Sequence, residues 1–246
     1  MKRAVLILTC LGLLLLGSGM AAADITTGLI AYYPFTGNAN DIVGGNNGTV
    51  YGTTPLTADR FGRPNRAYHF DGSDSHIEMA HNFDFVDMGD LTFSAWVKNE
   101  GNGTGYVFYN GTLGELGIAI YSGKTDFYVH LANTSYYEAL DTGVLPQDKF
   151  VHITGVYYAR QKIELWLNGN LITTTNLDNY NLFNPTWNTF YANIGAYHEA
   201  GHNLVGPFQG TIYEVRIYNR ALTAADIKQL ATFGNPITGL LSLLLD

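Results

Sequence analysis

The sequence predicts an all-β fold, two antiparallel sheets packed as a sandwich with one short helix near the C-terminus, and three observations carry that prediction. The 246-residue chain holds 28 Gly, 17 Tyr and 13 Phe with only 14% charged residues, a composition suited to pleated, half-buried surfaces joined by tight turns. Short segments with alternating apolar residues recur along the chain, separated by Gly-rich and Asn-rich turns. Only one stretch reads as a helix.

The expected strands are, in order, Leu29 to Phe35, Ala67 to Phe70, Leu91 to Val97, Leu116 to Ile120, Phe127 to Leu131, Phe150 to Tyr158, Lys162 to Leu167 and Thr211 to Tyr218. Asn168-Gly169 stands between two such runs, the strongest short-range hairpin signal in the chain. The helix is expected over Thr223 to Thr232, with Thr223 as N-cap, Asp226 at the third helical position and Gly234 beyond its end. No internal repeat or long linker divides the chain, so residues 24–236 form one domain. Residues 237–246 are an apolar tail whose run from Ile237 to Leu245 is expected as an added strand, with packing against a partner as the alternative.

Residues 1–23 have the layout of a signal peptide. Lys2 and Arg3 precede an apolar run from Ala4 to Leu16, and Ala21-Ala22-Ala23 supplies small residues for cleavage. The run is too short to span a bilayer, so the mature protein is expected to be exported, to the extracellular medium, the cell surface or the periplasm. Loss of Lys2 and Arg3 takes the formal charge from -8 to -10. An acidic surface without a Lys/Arg cluster repels phosphate backbones and anionic membranes. Cys10, the only cysteine, leaves with the signal peptide, so the roughly 220 remaining residues must be held by their core rather than by disulfides.

Several motifs carry a family resemblance. Gly28-Leu29-Ile30-Ala31-Tyr32-Tyr33-Pro34-Phe35, Gly37-Asn38-Ala39-Asn40-Asp41, Asn47-Gly48-Thr49, Phe70-Asp71-Gly72, Phe93-Ser94-Ala95-Trp96-Val97 and Glu214-Val215-Arg216-Ile217-Tyr218-Asn219-Arg220-Ala221-Leu222 occur in this order. Together they resemble the laminin-G-like, concanavalin-A-like jelly-roll modules of secreted bacterial proteins, over residues 28 to about 231. The resemblance implies a jelly roll. It leaves function open, since such modules serve as lectins, adhesion and structural domains, glycoside hydrolases and polysaccharide lyases. It also implies a structural calcium ion, with Asp41 and Glu214 as ligands and Asn46 adding an amide oxygen, a donor set suited to a hard cation. The competing assignment has Asp41 capping a turn and Glu214 pairing with Arg216 or water.

His198-Glu199-Ala200-Gly201-His202 spells a zinc-protease signature. That chemistry needs a helix to set both imidazoles on one face, whereas this segment follows the strand-like Tyr191 to Tyr197 and contains Gly201. It is therefore expected as a loop, with no zinc. Glycoside hydrolysis needs two carboxylates flanking a bond. None of the glutamates forms the Glu-x-Asp-x-x-Glu strand of sandwich glucanases, and Glu164 is the lone acid on its strand. No catalytic residue is assigned. The leading expectation is carbohydrate binding, in which exposed aromatics stack on sugar faces and Asn, Asp and Gly supply hydrogen bonds. Tyr136, Tyr180 and Trp187 are the candidates, the first because Tyr136 and Tyr137 are adjacent in a strand and one of them must face outward. Trp96 and Trp166 are assigned to the sandwich itself. The alternative classes are a surface adhesion or protein-interaction module, and a hydrolase or lyase on the same fold.

Overall fold

The computed structural model describes residues 24–111, 114–184, 191–199 and 203–232. The signal peptide, Trp187 and the apolar tail therefore lie outside the described residues. In chain order the strands are β1 (Leu29–Tyr33), β2 (Gly48–Tyr51), β3 (Leu56–Thr57), β4 (Ala67–Asp71), β5 (His76–Met79) and β6 (Leu91–Asn99). Next come β7 (Thr104–Asn110), β8 (Leu116–Tyr121), β9 (Lys124–His130), β10 (Tyr136–Leu140), β11 (Phe150–Tyr158) and β12 (Lys162–Leu167). The last are β13 (Asn170–Asn176), β14 (Asn193–Ile194), β15 (Tyr197–Glu199), β16 (Asn203–Val205) and β17 (Gln209–Tyr218), followed by α1 (Ala224–Thr232).

These strands make two large antiparallel sheets. The first runs β13-β12-β11-β6-β17-β4-β3, with β1 also pairing β17; the second runs β10-β9-β8-β7-β14-β5-β2. The pair β15-β16 stands apart. Alternation decides which side chains meet between the sheets. Phe93, Val97, Ile153, Leu165 and Ile212 from the first sheet join Ile77, Phe108, Ile118, Phe127 and Val129 from the second in one buried cluster. Phe93 bridges the layers, with ring centroids 4.9 Å from Phe108 and 6.3 Å from Phe127. Gly155 permits that approach, because a Cβ there would sit 2.4 Å from the Phe127 ring.

Local chemistry fixes the joints. Asn168 and Gly169 have φ of 50° and 78°, the left-handed pair that a two-residue hairpin turn requires, and they join β12 to β13 with Leu167 opposite Asn170. At α1 the Thr223 hydroxyl accepts the Asp226 N–H at 3.2 Å, and Asp226 Oδ2 accepts the Thr223 N–H at 3.0 Å. This reciprocal cap is the one predicted from Thr223 and Asp226. Ile227 and Leu230 of the helix pack with Val156, Tyr218 and Leu222 in a second cluster, on the face of the first sheet turned away from the main core. Asp226 also pairs with Arg220 at 2.9 Å, and Arg220 donates to the Thr27 carbonyl at 2.8 Å, which ties the start of the domain to its end.

Candidate functional site

The outward face of the second sheet is lined with tyrosine. On β8 the residues Leu116, Ile118 and Ile120 point into the core, which leaves Gly117, Ala119 and Tyr121 on the opposite face; on β9 the core takes Phe127 and Val129 and leaves Asp126, Tyr128 and His130 outward. On β10, Ala139 is in the core and Tyr136 and Glu138 are exposed. A bulge in β7 shifts its register between Tyr106, opposite Ala119, and Phe108, opposite Ile118. The bulge brings Tyr106 and Tyr109, three residues apart, to the same side as the tyrosines of β8 and β9. Tyr197 of β15 closes the group, with its ring 4.6 Å from Tyr109 and 5.0 Å from Tyr106.

Small residues make the floor. A Cβ on Gly117 would lie 2.6 Å from the Tyr128 hydroxyl and 2.9 Å from the Phe108 carbonyl oxygen, so glycine lets the Tyr128 side chain lie across β8. The result is a cavity of about 250 Å³ lined by Tyr106, Tyr109, Glu115, Tyr121, Tyr128, Tyr136, Glu138 and Tyr197.

Glu115 fastens one wall. Its Oε2 lies 2.7 Å from Nδ1 of His130, and its Oε1 accepts the hydroxyls of Tyr136 at 3.2 Å and Tyr109 at 3.5 Å. His130 is paired across the strands with Tyr136 and stacks on it at 3.9 Å. Tyr136 is thereby held in place although 57% exposed, the condition for a platform that loses little entropy on binding. Burial, reinforced by the Glu115 charge, pushes the Tyr136 hydroxyl up to about 12, and burial also raises Tyr109, Tyr121 and Tyr128. These hydroxyls stay protonated and can donate.

Asp126 lies on the same face of β9, beneath this layer. It is 1% exposed, and its Oδ1 has no hydrogen-bond partner among the described residues. Desolvation, with the nearby Glu138 charge, pushes its carboxyl up to about 7. A carboxyl this deeply buried does not reach a glycosidic oxygen, which removes it from the acid role of a hydrolase.

The residues expected from sequence separate clearly. Tyr136 is on the cleft, and Tyr137 turns back onto the main core as adjacent strand residues must. Tyr180 is exposed but does not line the cleft. Trp96 is buried in the core cluster and Trp166 packs on the helix cluster, as assigned. Glu164 is spoken for by Lys162 at 2.6 Å, Trp166 Nε1 at 3.1 Å and the Tyr158 hydroxyl at 3.3 Å. Ser94 Oγ lies 2.8 Å from His152 Nε2. Both are buried, and Thr154 rather than a carboxylate is near Nδ1, so the pair lacks the access and the orienting acid of a nucleophilic site.

Asp41, Asn46 and Glu214 show the competing set of contacts. Asp41 Oδ1 accepts the N–H groups of Tyr32, Val43 and Gly44, and Oδ2 those of Gly44 and Asn46, all at 2.9 to 3.2 Å. The Asn46 amide exchanges both of its ends with the His81 backbone, and Glu214 pairs with Arg216 at 3.0 Å. No group of three His, Cys, Asp or Glu among the described residues is placed to hold a metal ion. At the protease-like motif, Tyr197–Glu199 is a strand and His198 lies opposite Leu204. The helix that a zinc site needs is not formed at His198 and Glu199; Ala200, Gly201 and His202 lie outside the described residues.

A family model described as concanavalin A-like lectin/glucanases superfamily, laminin G 3, matches residues 71–228, more than half of the chain. The chain belongs to this superfamily. Solved structures of the same fold include domain 4 of an extracellular arabinanase from Geobacillus stearothermophilus in complex with arabinotriose, at 20% identity and TM-score 0.63, covering 82% of this chain and 98% of that one. The binding domain of Paraclostridial Mosquitocidal Protein 1 aligns at 15% identity and TM-score 0.65, covering 83% of this chain and 52% of that one. The botulinum neurotoxin serotype D ligand-binding domain in complex with N-acetylneuraminic acid aligns at 16% identity and TM-score 0.61, covering 84% and 51%. This chain thus spans about half the length of the toxin domains. A search of curated proteins gives no match. Superfamily membership fixes the jelly roll and leaves the ligand to the cleft.

Tyr106, Tyr109, Tyr121, Tyr128 and Tyr197 were not among the sequence candidates. Part of their signal was present as tyrosine next to core positions, Tyr121 after Ile120 and Tyr128 between Phe127 and Val129, but strand alternation alone does not say which face is open.

Proposed function

We propose that this chain is an exported, non-catalytic carbohydrate-binding module whose site is the tyrosine cleft on the second sheet. The observation that carries the reading is the cleft itself: an aromatic-walled concavity on a rigid sheet, with protonated hydroxyls and carboxylate oxygens converging on one space. Tyrosine faces suit the apolar C–H faces of sugar rings, and the polar edges suit their hydroxyls. Relatives of the same fold solved with arabinotriose and with N-acetylneuraminic acid support the ligand class. Export is supported by the leader and by the extracellular arabinanase among these relatives; no helix among the described residues is long and apolar enough to cross a membrane.

A glycan array probed with the mature chain tests the reading. Binding of at least one oligosaccharide, lost when Tyr136 is replaced by alanine, is expected. A silent array transfers the cleft to a protein partner.

A further inference from the structure

We infer that the cleft takes a carbohydrate carrying protonated amino groups, such as an oligosaccharide of unsubstituted hexosamine units, rather than an acidic or purely neutral glycan. The inference rests on the carbohydrate-binding reading above and narrows its substrate class.

The charge of the lining is one-sided. Glu115 and Glu138 line the cavity, and no Lys, Arg or His is among its described lining residues. Lys124, at the far end of β9, does not line it, and His130 is stacked behind Tyr136 and bound to Glu115. A uronate or sialate would bring a like charge to Glu115 and Glu138, with no Lys or Arg among the described lining residues to receive it. An ammonium group meets the opposite situation, since the exposed Glu138 carboxylate can accept its N–H bonds and tyrosine faces attract its charge. Six tyrosines with two glutamates among them form an aromatic cage of the kind that recognises organic cations. The acidic net charge of the chain, -8, favours approach of a polycation and disfavours approach of a polyanion.

The test compares four hexamers by calorimetry with the mature chain at low ionic strength and mildly acidic pH: β-1,4-linked glucosamine, its N-acetylated counterpart, the corresponding glucose oligomer, and oligogalacturonate. The glucosamine hexamer is expected to bind about tenfold more tightly than the glucose hexamer, to weaken as salt is added, and to lose most of that preference in Glu138→Gln. Glu138 is exposed, so this variant should fold. Equal or tighter binding of the glucose, N-acetylated or uronate hexamer overturns the inference. If such binding is abolished by Tyr136→Ala, the carbohydrate reading stands and only the preference for amines falls. If no hexamer binds and the glycan array is silent as well, both fall.

Discussion

Asp126 and His152 are both buried ionisable residues, and they push stability in opposite directions as pH changes. Asp126 has its folded value raised to about 7, above the unfolded value of about 3.9. Ionising it in the fold costs stability, a cost largest above pH 7 that fades as pH falls towards 4. Asp126→Asn should therefore raise Tm at pH 8, with the gain shrinking between pH 7 and pH 4. His152 is lowered to about 3, by desolvation first and then by the charges of Arg216 and Arg60. The unfolded chain takes up the proton near pH 6.5 and the folded chain does not, so His152 withdraws stability as pH falls from about 6.5 towards 3. Urea titrations of His152→Gln should show a smaller loss of stability between pH 6.5 and pH 4 than the parent, from a lower starting value. At the cleft, Tyr136 is more than half exposed, so Tyr136→Ala should weaken glycan binding by roughly 1 to 2 kcal/mol. The Tm of that variant should change little.

The elements reveal how much of the molecule was legible in sequence and where legibility stopped. In the first sheet β6, β11, β12 and β17 were readable because they place apolar residues at alternate positions over long runs. Helix α1 was readable because its cap is encoded locally in Thr223 and Asp226. Thr223→Ala should cost about 1 kcal/mol and leave ligand binding intact, a difference that parallel melts and titrations would resolve. The short strands β2, β5 and β14 escaped, as four- and two-residue pieces carry too little period to read. The cleft escaped for another reason. Its tyrosines are distributed over β7, β8, β9, β10 and β15, one of them displaced by a bulge, and only the pairing of strands distant in sequence puts them on one surface. Gly117 belongs to this scale too: Gly117→Val would drive a side chain into the Tyr128 hydroxyl. It should reduce stability by about 1 to 3 kcal/mol as well as binding, whereas Tyr136→Ala weakens binding alone.

For the molecule as a whole, two sheets share one core, and the chain ends are tied through Arg220, Asp226, Thr27 and β1 on β17. The Asp41 loop is closed by backbone donors and Glu214 by Arg216, contacts that can hold that end together without an ion. Melting curves with and without a chelator should coincide, and a fall in Tm on chelation would return calcium to Asp41, Asn46 and Glu214. The central claim is that sugar is held on the tyrosine face of the second sheet. It is tested most directly by following tyrosine ring resonances while the tightest-binding glycan from an array is titrated into the mature chain. The account predicts shifts at Tyr106, Tyr121, Tyr136 and Tyr197, with Tyr180 and the first-sheet residues Tyr32 and Tyr213 unmoved. Shifts confined to Tyr180 or to the first sheet, or no shift at any tyrosine, would contradict it.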